Sequence, residues 1–204
     1  MTKYNYIKPN SCNHFPSILG TYQKNKFELA MNFCSKFNVA IDVGGHVGHW
    51  SHNLVSKFKT VYTFEAVKEN FDCLKQNVPD AICYNIALGE AEGLLNLYSK
   101  TSKNSGTWTF DSTGNNVDET TVPMRTLDSF KLNPDFIKMD IQESEYKALL
   151  GAYMTLTTYK PVLCLESAKN KFRADIHNYL TNLGYKCVRS AGKEEYFVHA
   201  LRRV

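Results

Sequence analysis

The sequence predicts an α/β fold built on a doubly wound, mostly parallel sheet with helices on both faces. From Asn38 onward, short apolar runs rich in β-branched and aromatic residues alternate with helical patterns. Strands that alternate with helices need crossover connections, which places neighbouring strands in parallel and covers both faces of the sheet. A length of 204 residues with 43% hydrophobic and 22% charged residues is typical of one globular domain.

Each element of this alternation can be placed in order. The predicted strands are NVAIDV, TVYTFEA, AICYNIAL, DFIKMD, PVLCLES, YKCVRS and EEYFVHAL. The helices between them are VGHWSHNLVSKF, KENFDCLKQNV, SEYKALLGAYMTL and ADIHNYLTNLG. The last two strands lie close together around Ala191 and Gly192, which predicts an antiparallel hairpin at the sheet edge.

Two regions fall outside the alternation. Residues 1–37 form an N-terminal extension with a helix predicted from about Gln23 to Phe37. Residues 93–125 are rich in Ser, Thr, Asn and Gly and have strand-like ends. An insertion of this kind inside a compact domain is more often a lid or a substrate loop than a linker. We therefore expect a single domain with a lid-like insertion.

The composition also bears on location and partners. No apolar run is long enough to cross a bilayer, and the first residues lack the apolar segment of a signal peptide. The six cysteines include no CxxC pair, which favours reduced, buried thiols and a cytoplasmic protein. The net charge of +4 is dispersed, so a nucleic-acid partner is not favoured.

The stretch IDVGGHVGHWSH contains a glycine-rich turn between a strand and a helix. A dinucleotide fingerprint needs glycine where Val43 stands, and Asp42 would repel a pyrophosphate. The same aspartate suits a cofactor that carries an amine and a sulfonium. Glu65, at the end of the second strand, is placed to accept both hydroxyls of a ribose. Together these residues favour a pocket for S-adenosyl-L-methionine.

The same stretch carries His46, His49 and His52 at three-residue spacing, which allows a zinc site as an alternative. His46 falls in the turn, whereas the other two fall on the following helix. The three therefore lack the common rigid geometry of an HExxH motif. We interpret the spacing as coincidence and expect His46 to face the pocket.

Several segments carry a resemblance to a known family. IDVGGHVGHWS, FEAVKENFDCLKQN, NIALGEAEG, TLDSF and DFIKMDIQESEYKALLGA resemble, in order and spacing, the FkbM family of S-adenosylmethionine-dependent methyltransferases. The resemblance runs from about Asn38 to Glu166. It implies a class I, Rossmann-like methyltransferase fold, with a seven-stranded sheet whose last strand is antiparallel. It also implies methylation of a hydroxyl oxygen on sugars, glycolipids, polyketides and related small molecules.

The resemblance also implies roles for particular residues. The methionine part of the cofactor would be surrounded by Asp42, Gly44, Gly45 and Gly48. His46 is expected to face the cofactor or the acceptor because of its position in the turn, not because of the resemblance. Glu65, with the adjacent Ala66, would hold the ribose, and Ile86 and Ala87 would lie against the adenine. Asp140 would end the fourth strand beside the transferred methyl group.

Two departures from the family pattern concern the acceptor side. The family usually has an Asp-hydrophobic-Glu-Gly segment where this chain has Asp140-Ile141-Gln142-Glu143. The usual Asn in the first loop is replaced by His46. Neither change removes Asp42 or Glu65, so the expected cofactor residues stay intact while the acceptor chemistry is altered.

The catalytic candidates are carboxylates. Asp140 and Glu166 should end adjacent strands at the carboxyl edge of the sheet, where open α/β folds bind ligands. Such a pair suits either a general base or a hard divalent cation such as Mg or Mn. Glu143 is a third candidate, and Glu145 fits helix capping at least as well as catalysis. Lys138, inside an apolar strand, is expected to pair with a carboxylate or to snorkel.

The predicted function is O-methylation of a sugar hydroxyl on a small molecule, glycan or glycoconjugate, with Trp108 stacking on the sugar and Trp50 and Phe110 as further candidates. One alternative is an RNA ribose 2′-O-methyltransferase, in which Lys26 and Lys147 would join Asp140 and Glu166. Another is a cofactor-binding module without catalytic activity.

Overall fold

A computed structural model describes residues 5–9, 16–99, 108–109 and 118–202. The strands are β1 (Val39–Val43), β2 (Thr60–Phe64), β3 (Ile82–Tyr84), β4 (Ala87–Leu88), β5 (Gly93–Ser99), β6 (Trp108–Thr109), β7 (Asp118–Arg125), β8 (Phe136–Met139), β9 (Val162–Glu166), β10 (Tyr185–Ala191) and β11 (Glu194–His199). The helices are α1 (Lys24–Met31), α2 (His49–Val55), α3 (Lys68–Asn77), α4 (Glu145–Leu150), α5 (Tyr153–Tyr159) and α6 (Arg173–Asn182), with a 3₁₀ helix at Leu127–Phe130. None of the helices in these ranges has both the length and the apolar character needed to cross a membrane.

Seven strands form the central sheet in the order β3-β2-β1-β8-β9-β11-β10. The strands from β3 to β9 pair in parallel, whereas β11 is antiparallel to both of its neighbours. The predicted doubly wound sheet with an antiparallel last strand is therefore confirmed. The hairpin of β10 and β11 lies at the sheet edge, as the sequence predicts.

Alternate residues of the strands face two separate apolar clusters. On β8, Phe136 packs with Trp50 of α2 on one face, while Ile137 packs with Leu149 of α4 on the other. The period-two alternation of a strand sends neighbouring side chains to opposite faces, so both faces are covered by helices. Phe27 of α1 lies in the first cluster, which makes the N-terminal extension part of the core.

The structure divides two predicted elements and shortens a third. The segment AICYNIAL is two strands, because Asn85 donates side-chain hydrogen bonds to the carbonyls of Glu65 and Ala66, each at 2.9 Å, and the chain then leaves the central sheet. The first helix ends at Met31. The helix predicted after DFIKMD breaks between α4 and α5 at Gly151, where a Cβ would collide with the Gly89 carbonyl.

A second sheet has the order β4-β7-β5-β6 and is built mainly from the predicted insertion. β5 and β7 pair antiparallel along their whole lengths, from Gly93 opposite Met124 to Ser99 opposite Asp118. The two strand-like ends of the insertion are thus β5 and β7, which pair with each other. Residues 100–107 and 110–117, including Phe110, lie outside the described residues, and the lid remains a prediction.

The described cysteines only partly follow the prediction of buried thiols. Cys73 and Cys164 are buried, and Cys34 and Cys83 are half-buried. Cys187 is exposed, since it lies on the edge strand β10.

Candidate functional site

The glycine loop after β1 lies against the ends of two neighbouring strands. The backbone N–H groups of Gly44 and Gly45 both donate to the Phe64 carbonyl, at 2.9 and 3.1 Å. A Cβ on Gly44, whose φ is 82°, would collide with the Asp140 carbonyl, and one on Gly45 would collide with the Thr63 methyl group. Glycine is therefore required for this close approach of backbone to backbone.

Asp42 is fully buried below this loop. Its Oδ2 accepts a hydrogen bond from the Ser51 hydroxyl at 2.6 Å, and its Oδ1 lies 3.3 Å from the Lys138 ammonium. Lys138 also donates to the Gly44 carbonyl at 3.2 Å. Burial lowers the pKa of Lys138, but the charges of Asp42 and Asp140 outweigh it and hold that pKa above its ordinary value. Asp42 thus anchors a buried ion pair behind the loop.

Glu65 is held at the tip of β2 by backbone donors. The N–H of His46 donates to Oε2 at 2.8 Å, and the N–H of Val67 donates to Oε1 at 2.9 Å. An ionised carboxylate has about four lone-pair positions, so both oxygens keep acceptor capacity for a ligand. These bonds orient the carboxylate at the cavity wall.

A cavity of about 320 Å³ opens beside these groups. Its wall includes the loop residues Gly44, Gly45 and His46, and the strand-end residues Glu65 and Ala66. It also includes Ile86, Ala87, Asp140 and Glu166. The structure therefore brings together most of the residues singled out in the sequence. Asp42 lies behind the wall, and Gly48 directly precedes α2 at a position where a Cβ would collide with Val78 at the end of α3.

Asp140 and Glu166 meet at the carboxyl ends of β8 and β9. The Gln142 amide donates to Asp140 Oδ1 at 3.2 Å and to Glu166 Oε2 at 3.3 Å, and the two carboxyl groups hydrogen-bond each other. Lysines flank the pair, with Lys138 at 3.8 Å from Asp140 and Lys193 at 2.8 Å from Glu166. The site is thus a carboxyl pair between two ammonium groups.

The two carboxyl groups differ in acidity. Burial, reinforced by the negative charge of Asp140, raises the pKa of Glu166 to about 7. Burial also acts to raise the pKa of Asp140, but Lys138 and the hydrogen bond from Glu166 outweigh it and leave that pKa below its ordinary value. Below a pH of about 7 the shared proton therefore resides on Glu166, while Asp140 is ionised.

The lysines that the sequence suggested beside Asp140 and Glu166 are not the ones found there, and Lys193 was not predicted. Lys26 pairs with Glu194, and Lys147 lies 3.6 Å from Glu90. Neither lines the cavity, whereas Lys138 and Lys193 do. Lys193 follows Gly192 in the β10–β11 turn, and no spacing in the sequence links that turn to Glu166.

Glu143 does not reach the cavity. Its side chain is exposed and lies 3.4 Å from Lys171. Its φ is 70°, and that of Gln142 is 53°, so two consecutive non-glycine residues adopt the left-handed conformation. The family that the sequence resembles usually has glycine at the position of Glu143, and glycine adopts this left-handed conformation without strain.

Replacing Glu143 by glycine is expected to raise the free energy of unfolding by about 1 kcal/mol, because a Cβ is unfavourable at this φ. Urea unfolding would measure the change. Glu143→Ala is the matched control, since it removes the exposed ion pair but keeps the Cβ. A glycine variant no more stable than the alanine variant would contradict the expectation.

Glu145 supports the loop between β8 and α4. It is fully buried, and its Oε1 accepts from the Ile141 N–H at 2.8 Å while its Oε2 accepts from the Asn170 amide at 2.6 Å. Burial raises its pKa to about 8. The side chain therefore secures the backbone next to Asp140, in addition to beginning the helix.

The three histidines do not form a metal site. His46 and His49 line the cavity, whereas His52 is exposed on α2. Burial lowers the pKa of both His46 and His49 to about 4, and His49 Nδ1 accepts from the Gly20 N–H at 3.1 Å. Their ring nitrogens do not converge with that of His52.

The carboxyl pair does not fit a divalent cation either. Within the described ranges, the one set of three metal-ligating side chains is His177, Cys187 and Glu195, away from the cavity. Glu195 there is already bound by Arg173 at 2.7 Å and by Ser167 at 2.8 Å. At the cavity, Lys138 and Lys193 occupy the positions from which a cation would neutralise Asp140 and Glu166.

The two tryptophans have different environments. Trp50 is buried in the core and also reaches the cavity wall, and its indole N–H donates to Gln23 at 2.9 Å. Trp108 of β6 lines the cavity and packs against the apolar cluster of Val67 and Ala87. The second sheet therefore closes the cavity at the end marked by Ala87.

The chain is similar to known methyltransferases in sequence and in fold. The family described as methyltransferase FkbM domain matches residues 42–187. No curated protein sequence matches the chain. The crystal structure of methyltransferase FkbM from Methylobacillus flagellatus KT is similar with a TM-score of 0.61 and 20% identity, over 80% of this chain and 44% of that protein. This chain thus spans less than half the length of that relative.

Two further solved structures cover nearly the whole chain. Precorrin 8w decarboxylase from Methanobacterium thermoautotrophicum has a TM-score of 0.55 and 12% identity, over 95% of each chain. Precorrin-6y C5,15-methyltransferase from Geobacter metallireducens GS-15 has a TM-score of 0.53 and 10% identity, over 95% of this chain and 92% of that one. At these identities the similarity concerns the fold.

Proposed function

The chain belongs to the methyltransferase FkbM domain family, and from that membership we propose that it transfers a methyl group from S-adenosyl-L-methionine to a hydroxyl oxygen of a sugar in a glycan or glycoconjugate. The observation that carries the proposal is the Asp140–Glu166 pair in the wall of the same cavity as Glu65. A carboxylate that can hold a ribose and a carboxyl pair that can accept a proton would both serve such a transfer, and they line one cavity. The sugar acceptor is supported by the resemblance of the sequence to this family.

The residues of the cavity fit the cofactor. Glu65 is oriented to accept the ribose hydroxyls, and Ile86 and Ala87 offer an apolar surface to the adenine, with Trp108 beside them. The loop at Gly44 and Gly45 forms the part of the cavity wall against which the methionine part would lie. When bound, S-adenosylmethionine supplies a methyl group on a positively charged sulfur, which keeps the electron pair of the broken bond.

The carboxyl pair supplies the proton acceptor. A sugar hydroxyl is a weak nucleophile at neutral pH, so it needs a positioned base. The pKa of Glu166, at about 7, is suited to this task near neutral pH. The hydroxyl oxygen forms its bond to the methyl carbon as its proton passes to the Glu166 carboxylate. Asp140 remains ionised and accepts a hydrogen bond that orients the acceptor.

A second candidate acceptor is the ribose 2′-hydroxyl of RNA. The set of Lys138, Asp140, Glu166 and Lys193 has the residue types of a Lys-Asp-Lys-Glu arrangement, and all four line the cavity. An RNA substrate would add a steep dependence of binding on salt, because phosphate contacts release counterions. The modest net charge of +4 favours the small acceptor.

The first test is calorimetric titration with S-adenosylhomocysteine. We expect micromolar affinity for this ligand, no binding of NAD, and no effect of EDTA, since the site holds the adenosine through Glu65 and has no role for a metal. Absence of binding would remove the cofactor assignment. An effect of EDTA would show that a metal takes part after all.

A transfer assay with labelled cofactor then separates the acceptors. A panel of free sugars and glycosides is compared with an unmodified RNA at low and high salt. Label on sugars that is insensitive to salt supports the proposal, whereas salt-sensitive label on RNA supports the second candidate. Binding without transfer to either class would indicate a module that binds the cofactor only.

A further inference from the structure

The turn between β10 and β11 reaches across the sheet edge to the carboxyl pair. The N–H of Ala168, just after β9, donates to the Lys193 carbonyl at 3.0 Å. β11 also pairs with β9 in a regular antiparallel register. The backbone of Lys193 is thus tied to the strand that carries Glu166.

The two oxygens of Glu166 have different partners. Oε1 lies 2.8 Å from the Lys193 ammonium, while Oε2 accepts from the Gln142 amide at 3.3 Å. The Glu166 side chain is 15% exposed and that of Lys193 is 58% exposed. The Glu166 carboxyl group therefore contacts the Lys193 ammonium on its solvent side and the Gln142 amide on its inner side.

Other charged groups face this carboxyl group from each neighbouring element. Asp140 comes from the end of β8, with Lys138 behind it, and both charges act on the pair. Glu145 of α4 is close enough to interact with Asp140 and Glu166 electrostatically. Tyr22, from the N-terminal segment, acts on Lys193. Among these groups, Lys193 is the cation in direct contact with Glu166.

We propose that Lys193 is the positioning residue of the carboxyl pair: its ammonium holds Glu166 Oε1 so that Oε2 stays at the Gln142 amide, which also donates to Asp140, and it favours the ionised form of Glu166. This role rests on the proposed function, since it concerns the group that accepts the acceptor proton. Lys193 takes no proton itself and forms no bond with the methyl group. It determines the pH at which Glu166 becomes a competent base.

The direction of the effect follows from the charges. A neighbouring cation stabilises a carboxylate, so removing it raises the pH at which the carboxyl group ionises. Transfer depends on ionised Glu166, and its rate therefore rises with pH through that midpoint. Without Lys193 the acidic limb of the pH profile moves to higher pH.

The test is a carbon-13 NMR titration of the Glu166 carboxyl resonance, assigned by its loss in Glu166→Gln. We expect a midpoint near 7 in the parent protein, and a midpoint higher by about one pH unit or more in Lys193→Met. Lys193→Arg should restore most of the parent value, since it keeps the cation. Lys171→Met, which removes a lysine paired with the exposed Glu143, is the matched control and should leave the midpoint unchanged.

An unchanged midpoint in Lys193→Met would overturn the proposal, as would a failure of arginine to restore it. The titration needs neither cofactor nor acceptor, so its result is separate from the calorimetric test of S-adenosylhomocysteine binding. If the cofactor fails to bind, the function is wrong whatever the midpoint. In the transfer assay, the acidic limb of kcat should move by the same amount as the NMR midpoint.

Discussion

Replacing Lys138 by methionine is expected to lower the free energy of unfolding by about 3 to 5 kcal/mol. The substitution keeps the length and apolar stem of the side chain but removes the cation that lies 3.3 Å from Asp42 Oδ1. Asp42 is fully buried, so its carboxylate would be left in the interior without its countercharge. Urea unfolding at neutral pH, followed by circular dichroism, would measure the loss.

The double variant Asp42→Asn with Lys138→Met separates charge from packing. Removing both charges leaves no uncompensated ion, and we expect much of the lost stability to return. Lys171→Met serves as the surface control, with an expected change within about 0.5 kcal/mol. A double variant whose loss in the free energy of unfolding exceeds the sum of the losses in the two single variants would contradict a coupled ion pair.

Asp140→Asn is expected to reduce transfer by about 10²- to 10⁴-fold while the affinity for S-adenosylhomocysteine stays unchanged. The amide keeps the shape of the side chain but loses the charge that sits beside Glu166 and Lys138. Glu166→Gln should give a loss of similar size, because it removes the proton acceptor. Calorimetry and the labelled transfer assay, carried out on the same preparations, would separate binding from chemistry.

Glu143→Gln is the matched control for these two variants. Its carboxylate is exposed and lies beside Lys171, so we expect transfer at the parent rate. A large loss of transfer rate in this variant would show that Glu143 takes part in catalysis. Full activity of Asp140→Asn would show that Asp140 does not.

The fold was largely readable because its strands are buried on both faces. A run such as Phe136 to Met139 is apolar almost throughout, and such runs between helical patterns are typical of central parallel strands. Boundaries were less predictable where a tertiary contact ends an element. Gly151 breaks a helical pattern because of the carbonyl of Gly89, which is distant in the sequence.

The cofactor side of the site was more predictable than the acceptor side. The glycine loop and Glu65 lie at strand ends whose positions follow from the topology alone. Asp42 was expected beside the cofactor, yet it pairs with Lys138 behind the wall, because the direction of a side chain depends on its packing. Lys193 had no signal, since its contact with Glu166 exists only once the hairpin has folded onto β9.

The position of β11 has a consequence for synthesis on the ribosome. In the central sheet β10 pairs with β11, and β11 lies between β10 and β9, although it is made after both. A nascent chain that has reached residue 193 therefore exposes an open edge on β9 and a β10 with no place in the sheet. Pairing of residues 194–199 with both strands closes this gap. Lys193 can reach Glu166 only after that pairing, so the proposed base site is incomplete until β11 has entered the sheet.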